Sequence, residues 1–132
     1  MVAVLLDDGR DGEWAAKHMA GANISAPALM PFEVANIIRR SELASLVSSD
    51  VAAQAYDDCQ RRAMDLWPFE LLAARVWQLR HNLTAYDASY VALAELLDVP
   101  LVTLDQAIGK VPGLHCEVLT PDQTDRCEGG TV

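Results

Sequence analysis

Two neighbouring segments, residues 83–95 (LTAYDASYVALAE) and 100–105 (PLVTLD), restrict the fold more than any other part of the chain. The first reads as a helix. Thr84 heads it, Asp87 lies in its opening turn, and Ala, Val and Leu dominate the later positions. The second reads as a short, fully buried strand over 101–103 that ends on an acid, Asp105. A helix start and a strand end are where an α/β fold aims side chains into one crevice. Two acids there, joined by a third from elsewhere, make a site for a divalent metal ion.

A chain of 132 residues suggests one domain with a core that needs no staples. Its 52% hydrophobic content excludes a disordered protein. No apolar run approaches the roughly 18 residues that would suggest a membrane span. No basic flank precedes the short apolar opening, so that opening does not read as a secretory signal. The 3 cysteines, Cys59, Cys116 and Cys127, are odd in number and widely spaced. They outline neither a disulfide framework nor a metal knuckle, and a reducing cytoplasm is the expected compartment.

The formal charge of −9 leaves no broad basic footprint for duplex nucleic acid. It favours a basic partner, or a site where cations offset clustered carboxylates. It does not exclude a nuclease that meets phosphate through its metals and a few local arginines.

Along the chain, apolar residues 1–6 are broken by a turn over 7–12, and a helix is expected over 13–19 with Trp14 as a core anchor. A strand over 24–27 leads to a helix from Pro31 to about Leu46, where proline's missing N–H is harmless. Phe32, Ala35, Ile38 and Leu46 are expected near one face of it. Ser49 is expected to cap a helix over 50–64. A brief strand over 65–67 precedes a helix over 69–80 with Leu72, Val76 and Leu79 inward, and His81–Asn82 offers a left-handed exit. After the strand at 101–103 come a short helix beyond Asp105, a last strand over 117–119 and a loose polar tail, 122–132. Helices alternating with short buried strands predict an α/β fold with a mostly parallel sheet covered on both faces.

Each acid has a plain structural explanation beside the functional one. Thr84-x-x-Asp87 is a capping signature, in which Asp87 does no more than satisfy a backbone N–H and complement the dipole. Yet it leads an otherwise apolar helix, where an unpaired buried charge is costly. Asp105 suits a cap over the N–H of Ala107 or Ile108, but it also follows a buried strand, where ligands collect in parallel sheets. Glu33 in the first turn after Pro31 is either dipole compensation or a third carboxylate just beyond a strand. Carboxylate oxygens are the donors that Mg²⁺ takes, and two such ions can drive phosphodiester cleavage. His18, His81 and His115 have no ligand spacing, and no glycine loop cradles phosphate.

The block from Leu83 to Asp105 resembles the C-terminal half of a PIN domain of the VapC type. Residues 27–40, with Glu33-Val34-Ala35-Asn36 at their centre, resemble that family's second acidic motif. The resemblance covers nearly all of residues 1–121 as one domain. It implies a three-layer α/β/α fold with a short, mostly parallel sheet. It also implies an Mg²⁺- or Mn²⁺-dependent endoribonuclease, the toxin of a toxin–antitoxin pair, dimeric and silenced by a cognate antitoxin. By position, Glu33, Asp87 and Asp105 match the acidic catalytic and metal-site residues. Thr103 matches a supporting hydroxyl residue two before the last acid.

The chain departs from the family at its start. The family opens with a strand ending in an Asp, then a helix, whereas residues 1–8 look like that helix and its following turn, which places Trp14 correctly. On this reading the first strand and its acid are missing, through a start site set too far downstream or a shortened chain. A rival reading makes residues 1–6 the strand and Asp7 the acid. The expected function is metal-dependent RNA cleavage, impaired on the reading in which the N-terminal acid is absent. Arg39, Arg40 and Arg80 are either phosphate or antitoxin contacts, or solvated helix cations. A non-catalytic PIN-like module acting through antitoxin or self-association is the alternative, and a domain whose acids are only caps is a third reading.

Overall fold

The computed structural model describes residues 9–121. The expectations for residues 1–8, including the first helix or strand and Asp7, and for the tail at 122–132, lie outside the described residues. The chain forms two compact units. One takes the described residues up to Ile24 together with Leu29–Asp65, and the other takes Ser25–Ala28 and the described residues from Leu66 onward.

The first unit is helical. Helix α1 (Arg10–Met19) begins three residues earlier than expected, with Gly9 at its N-cap. Asp11 and Glu13 in its first turn complement the helix dipole, and the helix runs through the Asp11-Gly12 pair that otherwise reads as a turn. Gly12 is buried in this helix. Trp14 is half-buried and stacks on His18, with ring centroids 4.2 Å apart. His18 Nδ1 lies 2.9 Å from the Trp14 carbonyl, so this histidine is satisfied locally.

Helix α2 (Met30–Leu43) and helix α3 (Ser49–Arg61) pack against one another. Met30, Val34 and Ile38, spaced at i, i+4, i+8, are the buried stripe of α2. Of the face expected from the sequence, Ile38 is buried and Ala35 half-buried, whereas Phe32 is 80% exposed and Leu46, beyond the helix end, 78% exposed. The helix stops where Ser45 takes a left-handed backbone (φ 60) and Leu46 N–H reaches back to the Ser41 carbonyl at 2.9 Å. That is a Schellman-type end with serine in the position glycine usually holds. The cap of α3 is Ser48, whose Oγ accepts from Val51 N–H at 3.2 Å. Ser49, the expected cap, instead donates to Glu42 Oε1 at 2.6 Å. Ala52, Ala55 and Cys59 line the buried face of α3.

Among the described residues, the second unit carries the larger buried apolar cluster. Strand β1 (Ser25–Pro27) neighbours strand β2 (Asp65–Trp67), and Ala28 N–H donates to the Trp67 carbonyl at 2.8 Å. The single helix expected over 69–80 is broken into a 3₁₀ turn (Phe69–Leu71) and helix α4 (Ala73–Gln78). Leu72, Val76 and Leu79 do point inward, at 1%, 6% and 5% exposure. Asn82 is not left-handed; the turn is made by Asn82 and Leu83 N–H groups, both donating to the Leu79 carbonyl at 3.1 Å.

Helix α5 (Ala85–Leu97) is the centre of this unit and runs as the sequence predicts. Ala88, Ser89, Val91, Ala92, Leu93 and Ala94 are all buried, which leaves little of a polar face. A helix apolar nearly all round belongs inside a core. Ser89 is tolerated there because its Oγ donates to the Tyr86 carbonyl at 2.6 Å. Asp98 ends the helix in a left-handed conformation, φ 53. Strand β3 (Leu101–Val102) then pairs in parallel with strand β4 (Val118–Leu119), Leu101 opposite Val118. Val102 is 39% exposed, so β3 is not the fully buried strand its composition suggests. A 3₁₀ turn (Ile108–Lys110) follows Asp105 where a short helix was expected.

Candidate functional site

Helix α5 organises the acids of the second unit. Thr84 is its N-cap, in extended backbone, and its Oγ1 accepts from Asp87 N–H at 3.2 Å. In a reciprocal capping box Thr84 N–H would also donate to the Asp87 carboxylate. Among the described residues no such bond forms. The cap therefore explains Thr84 and the Asp87 backbone, and leaves the half-buried Asp87 carboxylate free of the capping task.

Strand β3 packs against α5, and Asp105 stands just past the end of that strand. Its setting is built locally. Asp105 N–H donates to Thr103 Oγ1 at 3.1 Å, and Ala107 N–H donates to Asp105 Oδ1 at 2.9 Å. Thr103 itself is held by its N–H on the Leu119 carbonyl at 3.0 Å, so it ties Asp105 to the β3–β4 pair. The capping expectation for Asp105 is met at Ala107, which occupies one of its carboxylate oxygens.

Glu33 lies half-buried in the first turn of α2, which begins three residues after the end of β1. It belongs to the first unit, whereas Asp87, Asp105 and Thr103 belong to the second. Arg39 and Arg40 are exposed on α2, and Arg80 is exposed just beyond α4. Among the described residues, no group of three or more His, Cys, Asp and Glu is gathered tightly enough to hold a metal ion by itself.

One charged cluster of the second unit escaped the sequence reading. Arg75 Nε donates to Glu95 Oε2 at 2.7 Å and Arg75 Nη2 to Glu95 Oε1 at 3.1 Å. The same Nη2 donates to the Gly113 carbonyl at 2.7 Å, and His115 N–H donates to Glu95 Oε1 at 2.7 Å. Burial pushes the Glu95 carboxyl up. The Arg75 hydrogen bond, the His115 N–H and the guanidinium charge outweigh that and hold it below the usual carboxylate value. Burial and the Glu95 charge push the nearby Cys116 thiol up, which suits an inert side chain. Nothing in the sequence pairs Arg75 with a partner twenty positions away; only the fold does.

Comparison with known proteins gives this arrangement its family. Residues 1–114 match the PIN domain family. The chain belongs to that family. Among its relatives it is 43% identical over 95 residues to Ribonuclease VapC1 of Mycobacterium tuberculosis, covering 71% of each chain. It is 34% identical over 117 residues to Ribonuclease VapC9 of the same organism, covering 89% of each. It is 32% identical over 107 residues to Ribonuclease VapC12, covering 81% of this chain and 83% of the relative. The resemblance read from the Glu33 and Asp87 motifs is therefore upheld at the level of the family.

Proposed function

We propose that this chain is a divalent-metal-dependent endoribonuclease, the toxin of a toxin–antitoxin pair. The observation that carries the reading is the Asp87 carboxylate, which leads a core helix and is not used by the cap that starts that helix. Similarity to three ribonucleases supports the substrate class.

The donor chemistry fits a hard cation. Asp87 and Asp105 offer carboxylate oxygens, and Asp105 has one oxygen beyond the one taken by Ala107 N–H. With Glu33 they are the residues that would hold Mg²⁺ or Mn²⁺. Such an ion keeps much of its coordination for water and substrate phosphate, so it does not need a closed protein cage. When bound it supplies Lewis acidity toward the scissile phosphate and lowers the pKa of the attacking water.

The chain's own residues orient these groups. Thr84 fixes the backbone that presents Asp87, and Thr103 fixes the backbone that presents Asp105. Arg39, Arg40 and Arg80, all exposed, are among the cations available to RNA phosphate or to a carboxylate-bearing antitoxin. Action in the cytoplasm, as a homodimer silenced by its antitoxin, completes the proposal. No described helix is long and apolar enough to cross a membrane.

A second reading is a non-catalytic PIN-like module that works through antitoxin binding or self-association. It draws on the exposed Phe32, Leu43 and Leu46 around α2. The experiment that separates the two is incubation of single-stranded RNA with the purified chain in Mn²⁺ and in chelator. Internal cleavage that needs Mn²⁺ is expected; intact RNA under both conditions favours the binding module.

A further inference from the structure

The turn that joins α4 to α5 carries a second chemical feature. The Arg80 guanidinium carbon lies 4.5 Å from the centroid of the Trp77 ring. Arg80 Nη1 also donates to the Trp77 carbonyl at 2.8 Å. The guanidinium thus contacts both the ring and the carbonyl of Trp77 while Arg80 stays exposed. Trp77 is itself 68% exposed, so the indole adds little to the core. Among the described residues Arg80 forms no ion pair with a carboxylate.

Helices α4 and α5 pack on each other and are joined by a short turn. The end of α4 and the start of α5 therefore share one end of the unit. Trp77 and Arg80 stand at that end, as do Asp87 and its neighbour Tyr86, which is 62% exposed. An exposed indole beside a cation that has no carboxylate partner among the described residues matches a nucleotide, with a base to stack and a phosphate to neutralise. In a chain of net charge −9, an exposed cation is also where a polyanion finds local attraction. A purely apolar docking face has no use for that charge.

We propose that Trp77 and Arg80 form a subsite for one unpaired nucleotide of the RNA substrate. The base stacks on the indole and an adjacent phosphate meets the guanidinium. This specificity subsite rests on the ribonuclease reading above, and it selects single-stranded over duplex RNA because a paired base has no free face to offer.

The test is steady-state cleavage of a single-stranded RNA 12-mer by the full chain with Mn²⁺. Trp77→Ala is expected to raise KM about tenfold with kcat within about twofold, and Trp77→Phe to recover most of the loss. Removing one base from the substrate should raise the wild-type KM similarly at one position and leave Trp77→Ala unaffected there. Arg80→Gln should shallow the dependence of log KM on log salt by about 0.7. An unchanged KM in Trp77→Ala and an unchanged salt slope in Arg80→Gln overturn the subsite while leaving the ribonuclease intact. A change of sedimenting mass in Trp77→Ala with KM unmoved also overturns it, and makes this end a protein contact. Absence of Mn²⁺-dependent cleavage in the wild type overturns the ribonuclease reading itself, and the subsite with it.

Discussion

Arg75 and Glu95 meet through two hydrogen bonds of 2.7 and 3.1 Å, with their side chains 24% and 10% exposed. This fork joins α4 to α5 and, through Gly113 and His115, fastens the segment leading to β4. A partly buried bidentate pair behaves differently from a surface ion pair, because removing one partner strands the other charge. Arg75→Met is expected to destabilise the protein by about 1–3 kcal/mol, below the fully buried case because some solvent remains. Urea denaturation would show it as a lower midpoint at an unchanged slope.

The same pair makes stability depend on pH. The folded Glu95 carboxyl is held below its ordinary value, so its contribution is complete above the unfolded value of about 4.3. It fades as pH falls below that and through the lower folded value. The stability advantage of wild type over Glu95→Gln should thus be largest near pH 6 and shrink steadily in more acid buffer. Thermal melting of both proteins across that range reads it directly; a difference that grows in acid would refute the assignment.

Thr84 is the cap of the core helix, and Thr84→Ala should lower stability by about 1 kcal/mol. Serine keeps the hydroxyl, so Thr84→Ser should stay within a few tenths of the parent. Chemical denaturation separates the two substitutions.

Thr103 is predicted to matter through Asp105 alone. Thr103→Val removes the oxygen that Asp105 N–H donates to, while keeping the branched shape. It should weaken Mn²⁺ affinity roughly tenfold, the scale seen when a group supporting a metal ligand is lost. Thr103→Ser should restore it. Calorimetric titration with Mn²⁺ measures this without reference to catalysis.

The legible parts of the fold were those governed by local chemistry. Thr84 before an alanine- and leucine-rich run marks a helix start unambiguously, and α5 begins and ends where its sequence says. Leu72, Val76 and Leu79 were readable as inward because their spacing survives even though the 3₁₀ turn interrupts the helix. Positions settled by tertiary competition were not legible. Phe32 and Ile38 cannot both face one core, and Met30 with Val34 decides the matter for Ile38. Either Ser48 or Ser49 can cap α3, and the carboxylate of Glu42 draws Ser49 away. Around the candidate site, the place of Asp87 in the first turn of α5 and of Asp105 just past β3 announced themselves in the sequence. The Arg75–Glu95 fork and the Trp77–Arg80 stack did not. The first depends on chain segments far apart in sequence, and the second on the rotamer of a surface arginine.

The most direct measurement is the initial rate of single-stranded RNA cleavage in Mn²⁺ by the parent chain and by Asp87→Asn. Asparagine keeps the shape, the helix and the Thr84 cap, and removes only the charge. The rate is expected to fall at least about a hundredfold with the melting temperature essentially unchanged. Cleavage by a folded Asp87→Asn at a rate near the parent's would contradict the role given to that carboxylate.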